Sequence, residues 1–261
     1  MSATVLLDRP MDGLARITLN RPERRNAVDA TMIAEFGAVL RELTSGREDR
    51  AVVLTGAGQA FCSGMDQRHT GYEDRIVDGD VDALLDAQRE IANLVLALRA
   101  LPQPVVAAVN GSSVGAGLAF ALACDIRLAG ASATFGVGAI RIGLSGADMG
   151  MSWHLPRIVG LSRAAEWMLT GRRVTASEAE RAGLVSAVVP DDGLEDAWRV
   201  IGEQILGHQD YAVRLTKKAL WVNAGTPDLA TAVELENQTQ VLASTRLWQQ
   251  ARLAAAAGPT R

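Results

Sequence analysis

The sequence is short of cysteine, of net charge and of any unbroken apolar run long enough to cross a bilayer. Cys62 and Cys124 are the only two cysteines among 261 residues. Two thiols are too few for a disulfide framework and do not have the spacing of a metal knuckle. Unpaired thiols fit a reducing cytoplasm, which is the expected location. The net charge is only −4, so the field of the whole molecule gives no reason to expect nucleic acid, and a polyanionic ligand would depend on a local basic patch. The opening MSATVLLDRP carries charge early and has no cleavable apolar core, so no export signal is expected. Ala100 to Cys124 contains no charged residue, but Pro102, Pro104 and Asn110-Gly111-Ser112-Ser113 interrupt it. That segment predicts a buried strand, a turn and a buried helix rather than a membrane span.

What is present is ordinary for a globular chain, with 48% hydrophobic and 21% charged residues, enough for one large domain or a domain with an appendage. Ala15 to Leu19 alternates as a short strand, ended by Asn20-Arg21-Pro22. Asp29 is placed to cap a helix running to about Leu43, with Met32, Ile33, Phe36, Val39, Leu40 and Leu43 on its apolar face. Ala51 to Thr55, Val105 to Val109 and Ile126 to Ala129 are short apolar runs suited to buried parallel strands. Helical spacing occupies Leu84 to Leu101 and Gly115 to Ala123, and the charged stretch Arg68 to Asp82 before them is expected to be exposed and mobile. Thr175 and Glu178 form a capping box, and Asp191-Asp192-Gly193 opens a helical tail. Alternating strands and helices predict an α/β fold with mostly parallel strands. The change of pattern near 195 divides it into a core (1–195) and a helical C-terminal region (196–261), whose last residues, Ala254 to Arg261, are expected to fray.

Two segments carry the chemistry: Ala60-Phe61-Cys62-Ser63-Gly64-Met65-Asp66 and Val109-Asn110-Gly111-Ser112-Ser113-Val114-Gly115-Ala116-Gly117. Each follows a buried strand and is built from small residues, which let a ligand carbonyl approach the backbone. A helix follows the second loop at once, so its free first-turn amides point at whatever sits there. Two such loops side by side would aim two N–H groups at one oxygen. The same spacing is met equally by glycines that merely make tight turns.

Leu19-Asn20-Arg21-Pro22-Glu23-Arg24-Arg25-Asn26-Ala27 resembles the opening signature of the enoyl-CoA hydratase/isomerase (crotonase) family. Ala60 to Asp66 resembles its first oxyanion loop, Pro104 to Asp125 its second loop and following helix, and Leu155-Pro156-Arg157-Ile158-Val159-Gly160 a later helix. Leu169-Thr170-Gly171-Arg172-Arg173, Ala176 and Gly183-Leu184-Val185 complete a series that keeps the family order over roughly residues 10 to 220. The resemblance implies a crotonase-like spiral of ββα repeats with a C-terminal helical trimerisation region, assembled as a homotrimer or a dimer of trimers. It implies an acyl-CoA thioester as ligand, coenzyme A entering as part of the substrate and no separate cofactor or metal. By the same resemblance Met65 and Ala116 supply the two backbone donors. Arg25, Asn26 and Ala27, with Ser63 to Gln67 (Asp66 included), line the adenine and pantetheine. Gly115, Ala139 and Leu144 are further substrate contacts.

The chain departs from the family pattern where hydratases carry two glutamates: the matching positions are Ala119 and Ala139. Neither alanine moves a proton, and each general acid or base is typically worth about 10²–10⁴ in rate. Asp148, in Leu144-Ser145-Gly146-Ala147-Asp148-Met149-Gly150, is the remaining candidate acid/base, close to where some family isomerases and a ring-forming synthase place an aspartate. Burial there would raise its pKa. The alternative is that Asp148 caps a helix from Met149 to Pro156.

Cys62 and Ser63 have no base partner within the motif, and Cys62 is expected to be a small buried thiol. Asp66 suggests loop geometry rather than proton transfer. His69 is expected to be a solvated surface residue, and His154 and His208 suggest no metal site. Arg24, Arg25 and Arg68 are candidates for the coenzyme A phosphates through the motif alone. Trp248 to Arg261 lacks the usual basic ending of the family, so no cross-subunit phosphate contact is assigned there. The sequence thus points to an acyl-CoA enzyme with an enolate-like intermediate, leaning to enoyl-CoA isomerisation. Hydration by unidentified acids and a catalytically silent acyl-CoA binder remain the alternatives.

Overall fold

The computed structural model describes residues 3–68 and 80–257, the last four by backbone alone. The chain divides into two compact units, Met1–Gln204 and Ile205–Arg261. The first is α/β and opens with β1 (Val5–Met11), β2 (Leu14–Leu19) and α1 (Ala30–Ser45). Two strands then precede a helix in each of the next two passes. These are β3 (Ala51–Gly56), β4 (Ala60–Cys62) and α2 (Val81–Ala100), then β5 (Val105–Val109), β6 (Ser112–Val114) and α3 (Ala116–Ala123). The third pass has β7 (Ile126–Gly130), β8 (Thr134–Gly136), a 3-10 turn at Ala139–Ile142, α4 (Met151–Val159) and α5 (Leu161–Thr170). The unit closes with β9 (Val174–Thr175), α6 (Ala176–Arg181), β10 (Ala187–Val189) and α7 (Leu194–Leu206), whose last turn crosses the division.

In the three passes from β3 to β8 the first strand joins one sheet and the second joins another. The larger sheet has the order β1-β2-β3-β5-β7-β10 and the smaller β4-β6-β8-β9. From β2 onward the larger sheet is parallel. Its inner strands are apolar along nearly their whole length because parallel strands are covered on both faces; Val105 to Val109 are all buried. This is the mostly parallel α/β fold that the alternating pattern predicts. Asp29 caps α1 as expected, its carboxylate accepting from the Met32 amide at 2.9 Å, and the helix buries Met32, Ile33, Phe36, Leu40 and Leu43 against the sheet.

Strand β1 has no counterpart in the sequence reading. It lies at the sheet edge, pairs antiparallel with β2 and shifts register between Asp8 and Met11. Pro10 is tolerated there because an edge strand or bulge can spare a ladder donor. The division of the chain also falls later than 195. Helix α7 begins at Leu194 and buries Leu194, Trp198 and Gly202, and a Cβ added at Gly202 would collide with the Leu14 side chain. The start of the helical tail is thereby part of the first unit. The second unit continues with α8 (Asp210–Asn223) and α9 (Leu229–Ala257). No helix among the described residues is long and apolar enough to cross a membrane.

His154 of α4 is part of the core, 6% exposed, with its ring edge-on to Trp153 at 4.7 Å and its Nδ1 3.4 Å from an Arg99 nitrogen. Burial first, and then Arg99, Arg127 and Arg157, push its pKa down to about 4. The unfolded chain takes up the proton near the ordinary value of about 6.5. The stability contributed by the neutral ring is therefore complete above that pH and is lost as pH falls toward about 4. Urea denaturation of wild type and His154→Gln at pH 7 and pH 5 checks this. Wild type is expected to lose more stability than the variant, by up to about 1.4 kcal/mol per pH unit, and equal losses would contradict the assignment.

Candidate active site

The site is built on places where backbone meets backbone. Gly56, at the end of β3, has no room for a side chain, because an added Cβ would collide with the Ala60 and Phe61 carbonyls and the Asn26 amide. Asn26 is fully buried and left-handed, with φ of 55°, a conformation that asparagine tolerates better than most residues. Its Nδ2 donates to the Ala57 carbonyl at 2.9 Å and the Ala60 carbonyl at 2.7 Å, and its Oδ1 accepts from the Arg21 amide at 2.9 Å. One side chain thus ties the Arg21 to Ala27 turn to the β3–β4 turn.

The loop after β4 is held on the same side. The Val28 amide donates to the Gly64 carbonyl at 2.8 Å, the Asp66 amide to the Val28 carbonyl at 2.8 Å, and the Ser63 amide to the Arg25 carbonyl at 3.1 Å. In a trans peptide the carbonyl and the following N–H point in opposite directions. With no cis bond in the described residues and the Gly64 carbonyl turned to Val28, the Met65 N–H points away from that segment. The same rule applies at the second loop. The Gly115 carbonyl accepts from the Ala119 amide at 3.0 Å, so the Ala116 N–H projects off the start of α3, among the amides that lack an intrahelical partner.

The two loops touch. A Cβ added at Gly64 would lie 3.8 Å from the Ala116 nitrogen, and one added at Gly115 would lie 3.6 Å from the Gly64 Cα. Both glycines have positive φ, 97° and 54°, which a residue with a side chain adopts only under strain. Gly117 is packed so tightly that its Cβ would collide with the Cys62 carbonyl and Cβ. Two backbone N–H groups on adjoining loops are an arrangement that can stabilise charge developing on one carbonyl oxygen.

A family model described as enoyl-CoA hydratase/isomerase matches residues 9–251. The chain belongs to the enoyl-CoA hydratase/isomerase family. A probable enoyl-CoA hydratase (echA12) of Mycobacterium bovis is 41% identical over 238 residues, covering 91% of this chain and 84% of that protein. A 1,2-epoxyphenylacetyl-CoA isomerase of Escherichia coli is 35% identical over 241 residues, 91% of this chain and 89% of that one. The solved structure of a monofunctional enoyl-CoA isomerase from M. smegmatis superposes with a TM-score of 0.75 at 40% identity, over 89% of this chain and 99% of the other. The crotonase fold expected from the resemblance is therefore the fold of the chain.

In this hydratase/isomerase family member the candidate residues fall into distinct surroundings. Ala27 is buried, Arg25 and Gln67 are exposed, and Ser63 and Met65 are half-buried along the first loop. Asp66 is 4% exposed and ion-paired, with Arg21 at 3.2 Å and Arg24 at 3.4 Å. Arg21 also meets Asp29 at 3.1 Å and donates to the Ala27 carbonyl at 2.5 Å. Asp66 and Arg24 thus hold loop to loop, and Arg21, which the sequence reading treated only as the end of a strand, is the centre of that cluster. Burial pushes the Cys62 thiol up to about 12, leaving it protonated at neutral pH and a poor nucleophile.

The two hydratase glutamate positions are apolar. Ala119 is fully buried in α3. Ala139 opens the 3-10 turn beside the second loop, where a Cβ added at Gly138 would lie 3.8 Å from the Gly115 nitrogen. Leu144 is exposed, and its amide donates to the Ala139 carbonyl at 3.0 Å. Asp148 does not cap α4 through its side chain. The helix starts at Met151, its N-cap is Gly150 without a side-chain bond, and only the Asp148 carbonyl accepts from the Met151 amide. Left-handed backbone at Met149 and Gly150, with φ of 46° and 79°, displaces the helix start from the predicted Met149. The Asp148 carboxylate is half-buried, Oδ1 accepts from Gln88 Nε2 at 2.6 Å, and burial raises its pKa against the opposing effects of the Met149 amide and Gln88. These bonds lie outside the two glycine loops. Gln88 was not foreseen, since nothing in the sequence links it to a residue on another element. Positions 69–79, and with them His69, lie outside the described residues; Asp80 caps α2, accepting from the Ala83 amide at 3.0 Å.

Asn26→Ala is expected to destabilise the protein and loosen both loops. It leaves buried backbone groups without partners, each costing about 1–3 kcal/mol. Chemical denaturation should show a lowered midpoint, and hydrogen exchange should quicken at Ala60 to Met65. A variant as stable and protected as wild type would contradict this role.

Proposed function

We propose that the protein is an enoyl-CoA isomerase, moving a double bond within an acyl-CoA thioester by a single-carboxylate proton shuttle. The observation that carries this reading is the contrast at the site. Both hydratase glutamate positions are alanine, while Asp148 offers a desolvated carboxyl held by neutral donors. In this reading the thioester oxygen accepts from the Met65 and Ala116 N–H groups. Asp148 takes a proton from C2 of a 3-enoyl thioester and the C–H electron pair flows into the enolate. The same carboxyl then gives the proton to C4. The double bond comes to rest between C2 and C3, with no net change in atoms or electrons. Preorganised backbone donors of this kind are typically worth about 2.7–4 kcal/mol each in the transition state. The names of these relatives support either reaction, one being an enoyl-CoA isomerase and one a probable enoyl-CoA hydratase.

Arg25, Ala27, Ser63, Asp66 and Gln67 would line the coenzyme A portion, Asp66 by shaping the loop, and Gly115, Ala139 and Leu144 the acyl portion. The C-terminal unit serves assembly as a trimer or dimer of trimers in this proposal. Helix α9 leaves Val241, Leu242, Leu247, Trp248 and Leu253 exposed around its circumference in the single chain, apolar surface that neighbouring chains would cover in such an assembly. A cytoplasmic location agrees with two buried, unpaired cysteines.

Mass spectrometry of 3-enoyl- and 2-enoyl-CoA substrates incubated in deuterated water tests the reading. Double-bond migration is expected, with deuterium taken up to the extent that the proton on Asp148 exchanges with solvent before its return. Asp148→Asn should lower the rate by about 10²–10⁴ while thioester binding persists. Gain of water by the wild-type protein would replace isomerisation with hydration. Binding without any turnover, in wild type and variant alike, would instead identify a silent acyl-CoA binder, in which Asp148 plays no catalytic part.

A further inference from the structure

Asp148 and Gln88 come from separate elements, the turn before α4 and the second turn of α2, and meet in a 2.6 Å hydrogen bond. The contact is not a by-product of core packing, because Gln88 is exposed on its helix. A long, flexible side chain loses considerable rotamer freedom when it is fixed, and an exposed hydrogen bond returns little of that in stability. The backbone at the other end of the contact is also costly. Met149 is a buried, non-glycine residue in left-handed conformation, and such outliers concentrate where a site holds a group in place. The two features meet at one carboxylate, with Gln88 donating to it from α2 and the adjacent Met149 amide opposing the rise in its pKa.

We propose that Gln88 is a positioning residue for proton transfer: its amide clamps Asp148 Oδ1, fixing the plane of the carboxylate so that Oδ2 is the oxygen presented to the substrate. This inference rests on the reading of Asp148 as the proton shuttle. A shuttle that removes a proton at one carbon and returns it at another must keep its lone pair on one face of the substrate throughout. A carboxylate free to turn about its Cβ–Cγ bond would spend part of its time presenting neither oxygen correctly. A neutral amide is suited to the task, since it donates without carrying a charge. A lysine or arginine in its place would form an ion pair and hold the carboxylate ionised, making the return step harder. Among the described residues, burial, the Met149 amide and Gln88 are the influences on this carboxyl, and none of them is a neighbouring charge. Gln88 also adds no second acid, so only one proton is in play.

The test compares wild type, Gln88→Ala and Asp148→Asn. The Asp148 carboxyl is followed by carbon NMR titration of the substrate-free protein, its signal identified by its absence in Asp148→Asn. The pH dependence of kcat and KM for double-bond migration is measured alongside. Losing a donor to the ionised form disfavours that form. In Gln88→Ala the NMR midpoint is therefore expected to move to higher pH, and the acid limb of kcat to move with it. At the plateau kcat should fall about threefold to tenfold, the rate equivalent of one ordinary hydrogen bond, with KM changed less than kcat. A purely structural role would leave the midpoint in place, and an unmoved midpoint overturns the proposal. A moved midpoint with an unmoved kcat profile overturns the positioning role while leaving the contact itself established. Full migration activity in Asp148→Asn, or none in wild type, overturns the proton-shuttle reading and this inference with it. That failure is recognisable because the NMR titration still responds to Gln88→Ala.

Discussion

The first turn of α3 rests on β4 with no space for a side chain at Gly117, and Gly111, before β6, is pressed in the same way against Gln59. These contacts set the distance between two loops that leave β4 and β6, neighbouring parallel strands of the smaller sheet. Strand spacing alone would leave the loops side by side but unregistered. Contact of backbone with backbone fixes them, because peptide groups, unlike side chains, have no rotamers through which to relax. The orientation of the Met65 and Ala116 N–H groups then follows from hydrogen bonds made by the carbonyls of the same peptide units. The site is thus defined by main-chain geometry, which explains how an alanine can stand at 116 without removing the donor.

A second layer of control is electrostatic. Arg21 lies between Asp29, the cap of α1, and Asp66, at the end of the first loop. This network couples the start of a core helix to the loop that carries Met65. Buried ion pairs contribute uncertainly to net stability but penalise any arrangement in which one partner is removed. Their effect here is to make a displaced loop costly, a constraint on geometry more than a gain in stability.

The inner strands and α1 were legible in the sequence because their signal is local. Val105 to Val109 is uniformly apolar, and Asp29 precedes a helical repeat of large side chains. The smaller sheet was not legible. Its strands β4, β6 and β8 are three residues each, too short for periodicity to register, and they exist because the larger sheet brings their ends together. Strand β1 was hidden by Pro10 and a register shift, both acceptable only at an edge that the sequence does not announce. At the site, the glycine loops stood out through composition and family order. The partners of the side chains did not: Asn26 spans to residues 57 and 60, Arg21 to 66, and Gln88 to 148. Contacts of that separation follow from the fold and leave no trace in spacing. The capping alternative for Asp148 misled for a related reason, since the left-handed pair Met149 and Gly150 shifts the helix start beyond the reach of its side chain.

Asp66 and Asp148 show how surroundings divide labour between like side chains. Asp66 is buried against two guanidinium groups, and that pairing secures the geometry of the loop. Among the described residues no cation offsets the desolvation of Asp148, and its carboxylate is held by the Gln88 amide. Desolvation brings its neutral and ionised forms closer in energy, while the neutral amide holds its orientation without fixing its charge. The proposed shuttle rests on this contrast between one carboxylate tied to cations and another held by a neutral amide. With alanine at 119 and 139, neither hydratase position places a carboxylate in competition with Asp148 in the proposed shuttle.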